Sequence, residues 1–379
     1  MTDPPVDVAI VGGGVIGLAT AWRAAQRGLS VAVVDQSAGR GASWIAAGML
    51  APVTEAHYGE EALLGLNLDS AGRYPAFVAE LEAASGTSVG YSTSGTLAVA
   101  LDAGDRAVLA ELHAYQQRLG LDSDLLSGRE CRTLEPMLAP TVRAGLLVTG
   151  DHSVDPRRLT AALHTAGHRA GVRFLEQQAT ATTSSSVTLA DGTTIAAGSV
   201  LLAAGCWTPA LTGLPGRPVK GHVVRLRGAG FLQRTVRGVV RGFDVYVVPR
   251  DDGEVVIGAT VEEMGFDTSV RVGCVYELLR DAHELLPGIT ELGLVECGAG
   301  LRPGSPDNAP LVGRLADGRF VATGHYRNGI LLTPVTADAV TELLAGRQLP
   351  AVMAPFSPDR VSAHGTSAAP TATQAGSMR

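Results

Sequence analysis

Three glycines and one carboxylate near the amino terminus carry the first recognisable chemistry in this sequence. Gly12-x-Gly14-x-x-Gly17 follows the apolar run Val8-Ala-Ile-Val11 and opens an amphipathic segment, after which Val31-Ala-Val-Val34 leads to Asp35. Gly12 permits a tight turn, Gly14 lets the backbone approach a pyrophosphate, and Gly17 lets a helix pack closely on the preceding strand. The helix amino terminus then stabilises the phosphate charge. Asp35, 21 residues beyond Gly14, can accept hydrogen bonds from ribose hydroxyls and would repel a 2′-phosphate, so NADP is disfavoured. A glycine triplet alone is weak in a chain with 47 glycines, and a turn that binds nothing is the competing reading. The ordered strand, turn, helix, strand and acid weigh against it.

These residues need elements to hold them. Residues 39–50 are small and glycine-rich, which lets a cofactor approach the backbone. Residues 63–84 read as a long amphipathic helix with Leu66, Tyr74, Phe77, Val78 and Leu81 near one face. A strand is expected at 92–100, a helix at 105–119 and a short helix at 128–136 that Pro136 stops. Asp155 as N-cap and Pro156 in the first turn open a helix to residue 170. Short strands at 172–175, 186–189 and 194–195, with Asp191-Gly192 as a hairpin turn, precede a separate buried strand that runs from 199 into a glycine turn at 205. Antiparallel strands follow at 223–226, 236–240, 245–248 and 255–259, then a helix at 271–286. A glycine-bounded loop at 324–334 leads to a last helix ending near residue 344. The fingerprint unit thus leaves and returns around antiparallel inserts.

Composition bounds the rest. At 379 residues and 46% hydrophobic content the chain can build a large core and two domains. A net charge of -7 without a basic patch argues against nucleic acid. Cys131, Cys206, Cys274 and Cys297 are far apart and form no metal or disulfide pattern, which fits a reducing cytoplasm. Neither a signal peptide nor a membrane span is expected. His57, His152, His222 and His283 lack metal-ligand spacing and read as surface or loop residues. Cys206 reads as a packed thiol. Trp44 either covers a cofactor or fills a domain junction.

Taken together, residues 12–17, Ala42-Ser-Trp-Ile-Ala-Ala-Gly-Met-Leu50, Asp151-His-Ser-Val-Asp-Pro156, Ala203-Ala-Gly-Cys-Trp207, Val219-Lys-Gly221, Val248-Pro-Arg250, Gly300-Leu-Arg-Pro-Gly304 and Gly324-His-Tyr-Arg-Asn-Gly329 resemble the D-amino-acid oxidase family of flavoproteins. The match covers roughly residues 6–350, in order, and is most similar to the glycine oxidase group that serves thiazole biosynthesis. The resemblance implies an α/β fold: a discontinuous Rossmann-like FAD-binding domain at 1–85, 145–215 and 297–355, and an α+β substrate domain on an antiparallel sheet at 86–144 and 216–296. Residues 356–379, rich in Ser, Ala, Thr, Pro and Gly, are expected to be disordered.

The implied cofactor is noncovalent FAD. Gly12, Gly14, Val15, Ile16 and Gly17 would cover its pyrophosphate, Asp35 and Gln36 its ribose, Ala42 and Ser43 its phosphates, and Ala47, Gly48 and Met49 the flavin edge. Thr180 would meet the adenine through its backbone, and His325, Tyr326, Arg327, Asn328, Gly329, Ile330 and Leu331 would wrap the pyrimidine end of the flavin. The helix after that loop would stabilise negative charge there. On the substrate side Arg302 matches the family's carboxylate clamp, for which a planar guanidinium is suited, and Tyr246 matches a second carboxylate contact. Arg327 would sit near the substrate. The bland alternatives are a solvated ion pair for either arginine and a core tyrosine for Tyr246.

The activity implied is oxidative deamination of glycine to glyoxylate or its imine, ammonia and hydrogen peroxide, with molecular oxygen as acceptor. Thiazole-pathway proteins and a homotetramer are the implied partners. Sarcosine oxidases share the fold, but their monomeric form attaches flavin to a cysteine at a position falling near Gly300, and Cys297 is three residues early. A D-amino-acid oxidase for larger side chains stays open, because pocket volume depends on residues such as Val261 and Met264. A flavin dehydrogenase and an inactive FAD-binding scaffold are the remaining readings.

Overall fold

The fold is known from a computed structural model that describes residues 3–362. The fingerprint unit forms as its pattern requires. Strand Asp3–Val11 pairs in parallel with Val31–Val34 on one side and Thr194–Leu202 on the other. Phe320–Thr323 extends this sheet in parallel beyond Thr194–Leu202, and Arg173–Leu175 extends it beyond Val31–Val34. Helices Val15–Gln26, Glu61–Ser85, Pro156–Arg169 and Thr333–Leu344 share one core on this sheet, with Leu18, Trp22, Phe77, Leu81, Leu163 and Val340 buried. The 3.6-residue spacing of the apolar positions explains why these helices bury one face.

A second eight-stranded sheet runs in the order Gly293–Gly304, Arg217–Arg227, Glu254–Gly258, Phe243–Pro249, Thr235–Val240, Thr96–Ala100, Ala144–Val148 and Asp124–Ser127. Every pairing in it is antiparallel except Thr235–Val240 with Thr96–Ala100. Period-two alternation gives it two unlike faces. On one, Leu97, Val224, Val236, Val247 and Ile257 pack with Leu278, Ala282 and Leu285 of helix Val272–Leu285. The other face carries Arg237, Tyr246, Gly258, Val223, Gly298, Gly300 and Arg302, and it looks toward the fingerprint unit.

Several expectations need correction. Strands Ala144–Val148 and Gly293–Gly304 belong to the second sheet, so residues 145–148 and 297–304 pair there rather than within the fingerprint unit. The two strands expected at 194–195 and 199–205 are one, Thr194–Leu202; Gly198 lies against the Asp7 carbonyl, where backbone continuity matters more than propensity. The strand expected from residue 92 starts at Thr96. Disorder from residue 356 is not met through 362: Phe356 is buried and Asp359–Ser362 is helical, with Arg360 paired to Asp307 at 3.0 Å. Residues 363–379 lie outside the described residues.

Candidate active site

The fingerprint turn is shaped for close backbone approach. Gly12 has φ 110°, and a Cβ there would collide with the Ala203 carbonyl; a Cβ on Gly17 would strike the Gly12 carbonyl. A Cβ on Gly14 would meet only Ser43 Oγ, at an ordinary contact distance of 3.6 Å. No side chain caps the helix at Gly14, and Val15 N–H donates to Ser43 Oγ at 3.0 Å. Asp35 accepts from Gly13 N–H at 2.6 Å and from Ser37 N–H at 2.7 Å, and it stays partly exposed beside the exposed Gln36. A carboxylate has about four lone-pair sites, so acceptor capacity remains for ribose hydroxyls. A helix end whose cap residue has no side chain, with room in front of Gly14, suits a pyrophosphate, and these residues fit FAD.

The small-residue loop lies between this turn and the second sheet. Arg157 donates to the Trp44 carbonyl at 3.1 Å, Arg225 to the same carbonyl at 3.4 Å, and Arg250 to the carbonyls of Ala47 and Val154. Burial lowers the Arg250 guanidinium to about 10. Trp44 is sandwiched between the guanidinium groups of Arg40 and Arg157 at 3.9 and 4.2 Å, so its ring anchors a junction. Ala42 is exposed, Ala47 is buried among Val223, Val248 and Val256, Met49 pairs with Ser153, and a Cβ on Gly48 would collide with the Val154 carbonyl.

The sheet face opposite is stripped of side chains where it matters. Ile45 lies on Gly298 and Gly300, a Cβ on Gly221 would strike the Arg302 guanidinium, and one on Gly258 would strike the Tyr246 hydroxyl. Arg302 donates to the carbonyls of Thr260 at 3.1 Å and Lys220 at 3.4 Å. Burial raises the Tyr246 phenol, with the Arg302 cation opposing, so it remains a donor. Tyr246 and Arg302 are thus brought together. Cys297 points to the opposite face and packs against the core there.

Arg237, not anticipated from the sequence, sits directly across from Tyr246 in the strand register and pairs with Glu55 at 3.2 Å. Its one sequence signal is a charge inside the apolar run Thr235–Val240. Glu55 belongs to a turn held from below by Asp151, which accepts from Val53 N–H, Thr54 N–H and Thr54 Oγ at 3.0, 2.9 and 2.5 Å. Burial pushes Asp151 up to about 6 against those hydrogen bonds. Two residues on, His57 accepts from Arg327 at 3.2 Å. Arg327 is exposed, on a cleft lined by Glu55, His57, Leu63, Asn67 and Asn328.

The loop at 324–331 turns sharply. Gly324 and Tyr326 have φ 73° and 47°, and residues Tyr326–Asn328 form one tight turn before helix Thr333–Leu344. The His325 ring is buried against Thr336 Oγ at 3.1 Å, and burial lowers it to about 4. Its side chain therefore faces the core, leaving only backbone for a ligand; Gly329 is partly exposed, and Ile330 and Leu331 are buried. No side chain caps the following helix. Thr180 is exposed, its hydroxyl bonded back to Thr188.

The expectation of surface or loop histidines fails for His222, which is buried on strand Arg217–Arg227 with hydrogen bonds at both ring nitrogens. His152 is half-buried and bonded to Tyr91 at 2.6 Å. Cys206 is a buried thiol that burial pushes up to about 12. His222, Glu262 and Cys274 converge within 4.8 Å. The Arg271 N–H donates to His222 Nε2, which leaves the proton on Nδ1 facing Glu262, a hydrogen-bonded arrangement rather than a metal-ligand one.

A family model described as FAD dependent oxidoreductase (DAO) matches residues 7–343. The chain belongs to this family. It is 35% identical to a glycine oxidase of Geobacillus kaustophilus, over 93% of this chain and 96% of the relative. It is also 35% identical to the bifunctional protein ThiO/ThiG of Synechocystis, of which it spans about half, 54%. The crystal structure of glycine oxidase from Geobacillus kaustophilus superposes with a TM-score of 0.88 at 34% identity, covering 94% of this chain and 98% of the other. The fold is therefore that of an FAD-dependent amino acid oxidase. Among the described residues no helix is long and apolar enough to cross a membrane.

Proposed function

We propose that this chain catalyses the oxidative deamination of glycine to glyoxylate, by way of its imine, with release of ammonia and hydrogen peroxide. The observation that carries the reading is Arg302 and Tyr246 side by side on a sheet face where Gly221 and Gly258 make room for them. A guanidinium and a phenol in that arrangement can fix a carboxylate through charge-assisted hydrogen bonds. The named relatives support the same substrate.

FAD would be held noncovalently by backbone at Gly12, Gly14, Val15, Ile16 and Gly17, by Asp35 and Gln36 at the ribose, by Ala42 and Ser43 at the phosphates, by Ala47, Gly48 and Met49, by Thr180 at the adenine, and by residues 325–331. When bound, it supplies the acceptor for a hydride from the substrate alpha carbon. The protein contributes orientation: Arg302 and Tyr246 hold the carboxylate, and Arg327 and the Arg237–Glu55 pair border the open side. Peroxide production, a role in supplying thiazole synthesis in the cytoplasm, and assembly as a homotetramer belong to the same proposal.

The test is steady-state turnover of glycine, sarcosine, D-alanine and D-proline in air, with peroxide and glyoxylate assayed separately. Highest kcat/KM for glycine with both products supports the proposal. Faster sarcosine or D-alanine reassigns the substrate, and flavin reduction without peroxide points to a dehydrogenase.

A further inference from the structure

Arg302 does not hold itself in place. Its guanidinium is aimed by two carbonyls, Thr260 and Lys220, that belong to different segments. Lys220 lies in strand Arg217–Arg227, whereas Thr260 begins the segment 260–271, which runs antiparallel beside that strand at Glu262. The two are joined by a pair of backbone hydrogen bonds, Lys220 N–H to Glu262 O at 2.8 Å and Glu262 N–H to Lys220 O at 3.0 Å. The direction of Arg302 therefore depends on how firmly segment 260–271 is seated.

Glu262 is the hub of that seating. Thr260 Oγ, His222 Nδ1 and Cys274 Sγ converge on its Oε1 at 3.2, 3.0 and 3.3 Å, and Arg271 pairs with Oε2 at 2.7 Å. Burial pushes this carboxylate up, but those hydrogen bonds and the Arg271 cation outweigh it and hold it below the ordinary range. The Thr260 hydroxyl in turn accepts from His222 N–H at 3.0 Å. Nearby, the fully buried Lys220 pairs with Asp267 at 2.7 Å and ties down the middle of the segment. Val261, Met264 and Phe266 are exposed, so apolar burial of the segment's own side chains does little to anchor it. Its attachment to the sheet is polar.

We propose that Glu262 is a positioning residue for the substrate carboxylate: it fixes segment 260–271 against strand Arg217–Arg227 and so sets the two carbonyls that aim Arg302. The proposal rests on the reading of Arg302 as the carboxylate clamp. Segment 260–271 then governs carboxylate affinity without touching the substrate's carboxylate itself, and the second contribution comes from Lys220 with Asp267.

The test uses the FAD-loaded enzyme and acetate, the simplest carboxylate, whose binding is read from the perturbed flavin absorbance and needs no turnover. In Glu262→Gln the acetate Kd and the glycine KM should rise together by about tenfold, the order expected for losing hydrogen bonds to a charged group. Flavin content and kcat should stay within about twofold, a split that general loosening would not produce. Asp267→Asn, at the more exposed partner, should show the same split at about threefold. Unchanged acetate Kd in a flavin-replete Glu262→Gln overturns the proposal. If that variant does not fold, an unchanged acetate Kd in Asp267→Asn overturns it instead. Acetate binding unaffected by Arg302→Lys would overturn the clamp reading itself, which separates the two failures.

Discussion

The fingerprint unit and the antiparallel sheet prepare their ligand contacts by opposite means. In the first, backbone does the work: Gly12, Gly14 and Gly17 lie within six residues, Gly12 and Gly17 allowing close packing of turn and helix and Gly14 leaving room in front of the helix end. In the second, side chains do the work, and they arrive from strands far apart in sequence. Tyr246 comes from Phe243–Pro249, Arg302 from Gly293–Gly304 and Arg237 from Thr235–Val240. Glycines serve both regions, yet Gly14 leaves room in front of the helix end whereas Gly221 and Gly258 admit neighbouring side chains. A backbone site tolerates little substitution, while a side-chain site degrades by degrees.

The sharpest break should come from Gly12→Val. A side chain at φ 110° costs about 1–3 kcal/mol in strain alone, before the collision with the Ala203 carbonyl. The purified variant should lack flavin, as read from the ratio of flavin to protein absorbance. Arg302→Lys keeps a cation but loses the planar fork, and kcat/KM for glycine should fall roughly hundredfold through KM with FAD still bound. Unchanged kinetics would remove Arg302 from the site.

A pH effect of intermediate size should come from His325. Its buried ring sits at about 4, against 6.5 in the unfolded chain. Between these values the unfolded chain binds a proton that the folded protein does not, so stability falls as pH drops through that window. This group should remove about 2 kcal/mol between pH 7 and pH 5. Denaturant melts of His325→Gln should lose that part of the acid slope; an identical slope would place the titration elsewhere. The smallest effects belong to Tyr246 and Gly221. Tyr246→Phe should raise KM about tenfold. Gly221→Ala should shift the Arg302 guanidinium and raise KM by about the same factor with little change in Tm, since the colliding group is the end of a flexible side chain.

The same contrast explains what could be read from the sequence. The strand-turn-helix unit is local, and Asp155 appears as the N-cap its spacing implies, accepting from Arg157 and Arg158 N–H. Strand Gly293–Gly304 was not legible as a strand, because Gly293, Gly298, Gly300 and Gly304 interrupt any alternation, although the motif around Arg302 stood out. Of these, Gly298 and Gly300 seat Ile45, a tertiary demand that overrides strand propensity. Likewise, nothing near Arg237 or Glu55 in sequence announces their pairing across 182 positions. His222 read as a surface residue because its partners, Glu262 and Cys274, are also distant.

The most direct test is anaerobic. Purified protein is mixed with glycine, and the loss of oxidised flavin absorbance is followed for the unsubstituted chain and for Arg302→Lys at matched flavin content. The account predicts bleaching by glycine that saturates at far lower concentration in the unsubstituted chain, followed by peroxide when air is admitted. No bleaching by glycine in a flavin-replete protein, or saturation at the same concentration in both, would contradict it.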